Sequence, residues 1–288
     1  MAGIPIERLA VIGTGLIGGS FALALRPAVP GLHITGFDLD RVNLECAHRL
    51  SIIDRMADSA ADAVCDAQVV FLAVPVCAVP GVVRSIAPAL PAGCIVTDGG
   101  SVKVSIVEAC EALLPPGCFF VGGHPIAGTE NSGAVAAFPS LYTGKRCVLT
   151  PTPCTDAAAL ETVARLWEAA GACVCRMDAA RHDRIFAEIS HLPHMVAYAL
   201  VHAVGTADSE GENVLSYTAG GFRDFTRIAS SDPVMWRDIA LMNRDALLAS
   251  IDGFSRSLAD LRARVGRGDT AGLEEFFTIA KQFRDAIL

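Results

Sequence analysis

Lysine is nearly missing from this chain: Lys103, Lys145 and Lys281 are all there is. Arginine carries the rest of the basic charge, and 23 Lys and Arg stand against 31 Asp and Glu, a net charge of -8. No long basic run interrupts this acidic background, so neither nucleic acid nor an anionic membrane is an expected partner. Charged residues of all kinds reach only 19%. That is lean for a surface, and part of the apolar content is expected to lie in a subunit interface. No metal-ligand spacing occurs among the ten cysteines. Cys173 and Cys175 fall two apart in a strand-like run, pointing to one sheet face, and most others stand alone among alanines and valines. They read as small buried hydrophobes in a reducing cytosol. There is no secretory signal, since the opening residues run straight into a strand pattern. The apolar stretch 69–83 is too short for a bilayer and is broken by Pro75, Pro80 and Gly81. A soluble, cytoplasmic protein is the expectation.

The 288 residues suit two domains of ordinary size. Up to about residue 178, short β-branched runs alternate with helical stretches. Residues 9–12, 33–37, 69–74 and 94–97 read as strands, with a helix over 15–25. The continuous apolar runs predict strands buried on both faces of a parallel sheet. Residues 119–121, 147–149 and 172–175 are expected to extend that sheet, with a helix over 156–170. From residue 179 to 288 strand signals vanish. Residues 181–204 read as one long helix interrupted and kinked by Pro193. Ser231-Asp-Pro233 is a helix start with proline at its first position. Leu247, Ile251, Phe254, Leu258, Leu261 and Val265 then form a narrow 4-3-4-3-4 apolar seam, which suits either a dimer interface or an internal bundle core. Gly266 and Gly268 break it, and a last helix begins near Thr270. The fold class is thus an α/β dinucleotide-binding domain, 1–178, followed by an all-α domain, 179–288.

Gly13-Thr-Gly15-Leu-Ile-Gly18 lies between the first strand and the first helix. The first glycine permits the tight turn, the second lets a pyrophosphate approach, and the third packs helix against strand. The helix N-terminus then offers free N–H groups to phosphate. Asp38 follows 20 residues after Gly18, at the end of the second strand. A carboxylate there accepts the ribose hydroxyls and repels a 2′-phosphate, so NAD is expected over NADP, although Arg41 stands nearby. Thr14, Leu16 and Ile17 in the turn, with Val74 and Pro75 after the next central strand, complete the expected cofactor contacts.

Four further segments carry unusual polar residues. Asp98-Gly-Gly-Ser101-Val-Lys103 follows a buried strand, where open parallel sheets bind ligands. Ser101 is therefore a site candidate, and equally a helix cap. In Val121-Gly-Gly-His124-Pro-Ile-Ala-Gly128-Thr-Glu130 a histidine is wedged between glycines and a proline just past a strand. That setting suits a general base better than core filler. Glu130 could gate the site but reads more readily as a solvated carboxylate. Ser190-His191-Leu-Pro193-His194 has histidines three apart without a third ligand or an HExxH pattern, so a metal is not expected. One of these histidines suits a substrate contact and the other suits packing. Lastly, Gly220-Gly-Phe-Arg223-Asp-Phe-Thr-Arg227 places two arginines on one helix face. Solvated surface is the usual fate of such a pair, but the glycines and aromatics argue for a close-packed junction. Arginine grips a carboxylate by two parallel hydrogen bonds and stays charged when buried.

Taken together these segments resemble the prephenate and arogenate dehydrogenase family. The matching pieces run in family order: Gly13 to Ser20, Asp98 to Lys103, Gly122 to Glu130, Ser190 to His194, Gly221 to Arg227, and Ser231 to Trp236. The resemblance implies a Rossmann domain and a helical domain that makes a homodimer. It implies that His124 is the base, that Ser101 orients it or the substrate, and that Arg227 holds a substrate carboxylate, with Ser190 and His194 as further contacts. A histidine at position 194 goes in that family with acceptance of prephenate. Two rivals share parts of the layout. A β-hydroxyacid dehydrogenase would need a lysine on the first long helix of the second domain, which has none. A redox sensor that binds NAD would bring a basic DNA-binding segment, which is absent.

Overall fold

Alternate side chains of the first strand, β1 (Arg8–Ile12), enter two different cores: Leu9 and Val11 on one face, Ala10 and Ile12 on the other. A strand sandwiched in this way needs helices on both sides. The computed structural model describes residues 6–129, 131–207, 211 and 214–287. Its further strands are β2 (His33–Phe37), β3 (Arg55–Met56), β4 (Val69–Leu72), β5 (Ile95–Asp98), β6 (Phe119–Val121), β7 (Gly123–Pro125), β8 (Arg146–Leu149) and β9 (Cys173–Arg176). The helices among them are α1 (Leu16–Ala28), α2 (Arg41–Arg49), α3 (Ala60–Val64), α4 (Val79–Ile86), α5 (Val104–Leu113) and α6 (Ala157–Ala169).

The main sheet runs β3-β2-β1-β4-β5-β6, and every pairing in it is parallel. This is the Rossmann arrangement, with the carboxyl ends of β1, β4 and β5 side by side at its centre. Phe21, Phe71, Tyr142 and Trp167 fill one side as a tight aromatic cluster, Phe21 lying 4.5 Å from both Phe71 and Trp167. The strands over 147–149 and 172–175 do not extend this sheet. They belong to a separate one, β7-β8-β9, in which β7 pairs antiparallel with β8. The chain leaves β6 through Gly122 and turns at once into β7, so His124 sits within a strand and not merely beyond one.

The second part is helical: α7 (Ala179–Phe186), α8 (Leu192–Ala207), α9 (Gly220–Thr226), α10 (Pro233–Met242), α11 (Arg244–Arg267) and α12 (Thr270–Asp285). The long helix over 181–204 is distorted, but not at Pro193 itself. A π-helical turn over Ala187–His191 comes first, and the proline falls in the opening turn of α8. Because the π-helical turn runs without a break into α8, the proline lies inside a continuous helix and offers no N–H to the carbonyls of the turn before it. Asp232 caps α10 as expected, its side chain accepting from Met235 N. Trp236 and Ile239 of α10 are buried in the core beneath α4 and α5, which docks the helical part onto the sheet. The apolar seam of α11 is buried only where it begins, at Leu247, while Leu258 is 54% exposed and Phe254 and Val265 face outward too. Phe277, Ile279 and Phe283 of α12 are likewise exposed. An internal bundle core does not describe that pattern.

Not all cysteines are small buried hydrophobes. Cys46, Cys94, Cys110 and Cys147 are buried, but Cys65, Cys77, Cys154 and Cys173 are exposed, and all ten are unpaired. Among the described residues no helix is long and apolar enough to cross a membrane.

Candidate active site

The glycine turn joins β1 to α1 and is packed from below. Gly13 has φ +93°, and a Cβ there would collide with the Ala73 carbonyl beside Val74. A Cβ on Gly18 would strike the Gly13 carbonyl. Gly15 is different: a Cβ would meet only the Gly133 backbone, at 3.9 Å. The first turn of α1 has no side-chain cap, so the N–H groups of Leu16 and Ile17 remain for a phosphate. Val74 and the exposed Pro75 follow β4 next to this turn.

Asp38, at the end of β2, accepts from Thr14 N at 2.9 Å and from Asn43 Nδ2 at 2.8 Å, both on Oδ2. Asn43 was not singled out in the sequence. Its Oδ1 accepts from Ala134 N at 2.7 Å, so it ties the Asp38 carboxylate to the segment that leaves β7. That segment is fastened again where Ser20 Oγ accepts from Phe138 N and the Tyr142 hydroxyl donates to the Ile17 carbonyl. An open approach at Gly15, bare helix N–H groups and a fixed carboxylate fit a dinucleotide.

At the carboxyl ends of β5 and β6 the polar groups form a buried lattice. Lys103 is wholly buried; its ammonium pairs with the Asp98 carboxylate and donates to the Gly123 carbonyl at 2.7 Å. Asp98 Oδ1 accepts from Gly123 N at 3.0 Å. Both backbone groups of the residue before His124 are thereby held. The expected capping of α5 by Ser101 does not occur. The helix begins at Val104, and the Asp183 carboxylate of α7 accepts from Lys103 N at 2.8 Å and Val104 N at 2.9 Å. Ser101 is half-buried in the loop between.

His124 is buried, with Phe186 edge-on to its ring at 4.9 Å. Its Nδ1 lies 2.8 Å from His182 Nε2, and His182 Nδ1 lies 2.8 Å from Asp183 Oδ1. A carboxylate accepts only, so His182 donates from Nδ1 and accepts at Nε2. His124 must then donate from Nδ1, which leaves its Nε2 unprotonated. Among the described residues no group bonds that nitrogen. Burial, and after it the positive potential of His182 and Lys103, holds the His124 imidazole well below its ordinary range. The ring is neutral at physiological pH, as a base must be.

His191 and His194 diverge. His191 is buried, its Nδ1 lies 3.1 Å from Asn243 Nδ2, and burial pushes it down to about 4. His194 donates from Nδ1 to the Ser190 carbonyl at 2.9 Å and stacks on Trp236. Burial lowers its pKa, and the nearby positive charge of Arg227 adds to this. Arg223 and Arg227 do not share one helix. α9 ends at Thr226, and Arg227 opens a tight 3-10 turn, Arg227–Ser230. Nor is the segment close-packed within one chain, since Gly220, Gly221, Arg223, Phe225 and Arg227 are all exposed. Glu130 lies outside the described residues.

Two family profiles cover nearly all of this architecture. "Prephenate dehydrogenase, nucleotide-binding domain" matches residues 21–176, and "Prephenate dehydrogenase, dimerization domain" matches residues 178–279. The chain belongs to the prephenate dehydrogenase family. It is 38% identical to a prephenate dehydrogenase of Bacillus subtilis over 98% of this chain and 76% of that one. It is also 38% identical to a cyclohexadienyl dehydrogenase of Zymomonas mobilis, over 98% of this chain and 96% of the other. Among solved structures, the prephenate dehydrogenase of Aquifex aeolicus, in complex with hydroxyphenyl propionate and NAD+, superposes with a TM-score of 0.93. There the identity is 38%, over 98% of this chain and 99% of that one. As a prephenate dehydrogenase family member the chain is an oxidoreductase, and NAD is its cofactor.

Proposed function

We propose that this protein oxidatively decarboxylates prephenate to 4-hydroxyphenylpyruvate, the step that commits carbon to tyrosine. Arogenate, in which an amine replaces the side-chain keto group, is the alternative substrate an assay must separate. The observation that carries the reading is His124: a buried imidazole fixed through Nδ1, with no partner on Nε2 among the described residues, next to the Asp98–Lys103 pair at the carboxyl end of β5. The relatives named for prephenate and cyclohexadienyl substrates support it.

Bound NAD would be held by Gly13, Thr14, Gly15, Leu16, Ile17, Gly18, Asp38, Val74 and Pro75, and would supply the acceptor for the hydride of the ring carbon that bears the hydroxyl. His124 Nε2 takes the hydroxyl proton in the same event, a contribution of roughly 10²–10⁴ in rate for a positioned base. Carbon dioxide leaves the opposite ring carbon and the ring becomes aromatic, which makes the step irreversible. Ser101, on the loop after β5, orients His124 or the ring. Arg227 meets a substrate carboxylate, countering the field of an acidic chain, with Arg223, Ser190 and His194 as its neighbours in that task.

The same reading gives a nucleotide domain to about residue 178 and a helical domain that pairs with a second copy. The exposed apolar side chains of α11 and α12 support that pairing. Cytoplasmic placement suits ten unpaired cysteines. The test is NADH absorbance with prephenate and arogenate side by side. Turnover with prephenate and loss of turnover in His124→Asn, with substrate still bound, is the expected result. Turnover with neither substrate would sink the assignment.

A further inference from the structure

His124, His182 and Asp183 form an unbroken file of hydrogen bonds, 2.8 Å at each step, running from β7 to the N-terminus of α5. We infer that this file is a proton relay, and that the charge created at His124 comes to rest on His182. As a proton arrives on His124 Nε2, the proton on His124 Nδ1 crosses to His182 Nε2. One N–H bond forms and one breaks on His124, and one N–H bond forms on His182. The result is a neutral His124 and an imidazolium at His182 in contact with the Asp183 carboxylate. This rests on the reaction proposed above only in that an alcohol must supply the proton.

The surroundings of the two rings decide where the charge settles. Among the described residues no carboxylate touches His124. The Lys103 ammonium is bonded to the carbonyl of the preceding residue, and both it and His191 oppose a second positive charge there. The edge of Phe186 offers no acceptor. His182 is also buried and feels Lys103, but Asp183 bonds it directly and Asp98 adds a second negative charge. Asp183 is itself immobilised by two backbone N–H groups, those of Lys103 and Val104 at the start of α5, and cannot swing away. Moving the proton one ring inward therefore exchanges an unpaired buried cation for a paired one, a difference that favours the transfer. His182 and Asp183 are positioning residues, since they act through His124.

The decisive variant is His182→Gln. Its amide oxygen can still accept from His124 Nδ1 and keep the tautomer, but it cannot take up a proton. The relay predicts near-normal KM, kcat lower by about 10- to 100-fold, and an acid limb of the rate profile displaced to lower pH, because His124 becomes a weaker base when it acts alone. An unchanged kcat and acid limb would overturn it. A second measurement needs no substrate and no variant: ¹⁵N spectra of histidine-labelled wild-type protein through an acid titration. The relay requires His124 with Nδ1 protonated and Nε2 bare at neutral pH, and first protonation at His182. First protonation at His124, or the opposite tautomer, would overturn it. Should the spectra agree while prephenate goes unoxidised, the reaction assignment fails and the relay stands.

Discussion

The imidazole of His194 lies flat on the indole of Trp236, ring centroids 3.6 Å apart and planes inclined by 22°. His194 Nδ1 is committed to the Ser190 carbonyl, so this stacking fixes where its free Nε2 can point. Such a ring pair is worth about 0.5–1.5 kcal/mol beyond area burial. Trp236→Leu keeps most of the apolar volume in the core and removes the plate. KM for prephenate is expected to rise about tenfold with kcat less affected. An unchanged KM would show that His194 is placed by other contacts.

Lys103 and Asp98 are a wholly buried ion pair. Removing one partner leaves the other charge without compensation, which typically costs about 3–5 kcal/mol. Lys103→Met should lower the melting temperature sharply and disturb β7 through Gly123. The double change Lys103→Met with Asp98→Asn should recover part of that loss. Thermal denaturation of the two variants checks this.

Asp38 is expected to set the choice of cofactor. Loss of a charged hydrogen-bonding partner costs about 1.5–3 kcal/mol. Asp38→Ser should therefore raise KM for NAD by roughly 10- to 100-fold and narrow its advantage over NADP. Steady-state kinetics with both cofactors are the measurement, and an unaltered ratio would remove Asp38 from this role.

Acid should destabilise the fold in a defined window. His191 has its pKa pushed from 6.5 to about 4 by burial. Between those values the unfolded chain binds more protons than the native one, so stability rises with pH. The neutral buried ring contributes its full share above pH 6.5 and loses it as the pH falls towards 4, a loss of about 3 kcal/mol by the linkage relation. His124, His182 and His194 are shifted in the same direction. His191→Asn should flatten the slope of unfolding free energy against pH in that interval.

The exposed seam of α11 should carry self-association. Phe254→Glu with Leu258→Glu is expected to convert dimers to monomers in sedimentation velocity while leaving the helical content intact. A chain that stays dimeric would place the interface elsewhere.

Residue chemistry decided what could be read before the fold was known. The glycine turn and His124 were legible because glycines and a proline beside a histidine make little sense as packing. His182 and Asp183 were not, because Ala179-Ala-Arg-His182-Asp183-Arg looks like the solvated first turn of any helix. Their partners lie 58 to 80 residues away, at His124, Lys103 and Val104. Lys103 stands within a legible motif, yet nothing local announces that its ammonium is buried. The second sheet was hidden for another reason. β8 and β9 carry the same apolar runs as the main strands, and their partner β7 is a three-residue Gly-His-Pro segment with no strand propensity. Pro193 was visible as a helix breaker, and the distortion falls on the turn before it, whose carbonyls it cannot serve.

Asn43 gives this protein an unexpected stiffness towards redesign. One of its amide atoms grips Asp38 and the other grips Ala134, on the stretch of chain that runs back to His124. Retargeting the enzyme to a phosphorylated dinucleotide by altering Asp38 alone would loosen the anchorage of the loop downstream of His124. An engineer would do better to exchange positions 38 and 43 as a unit, and to judge success by turnover as well as by cofactor affinity.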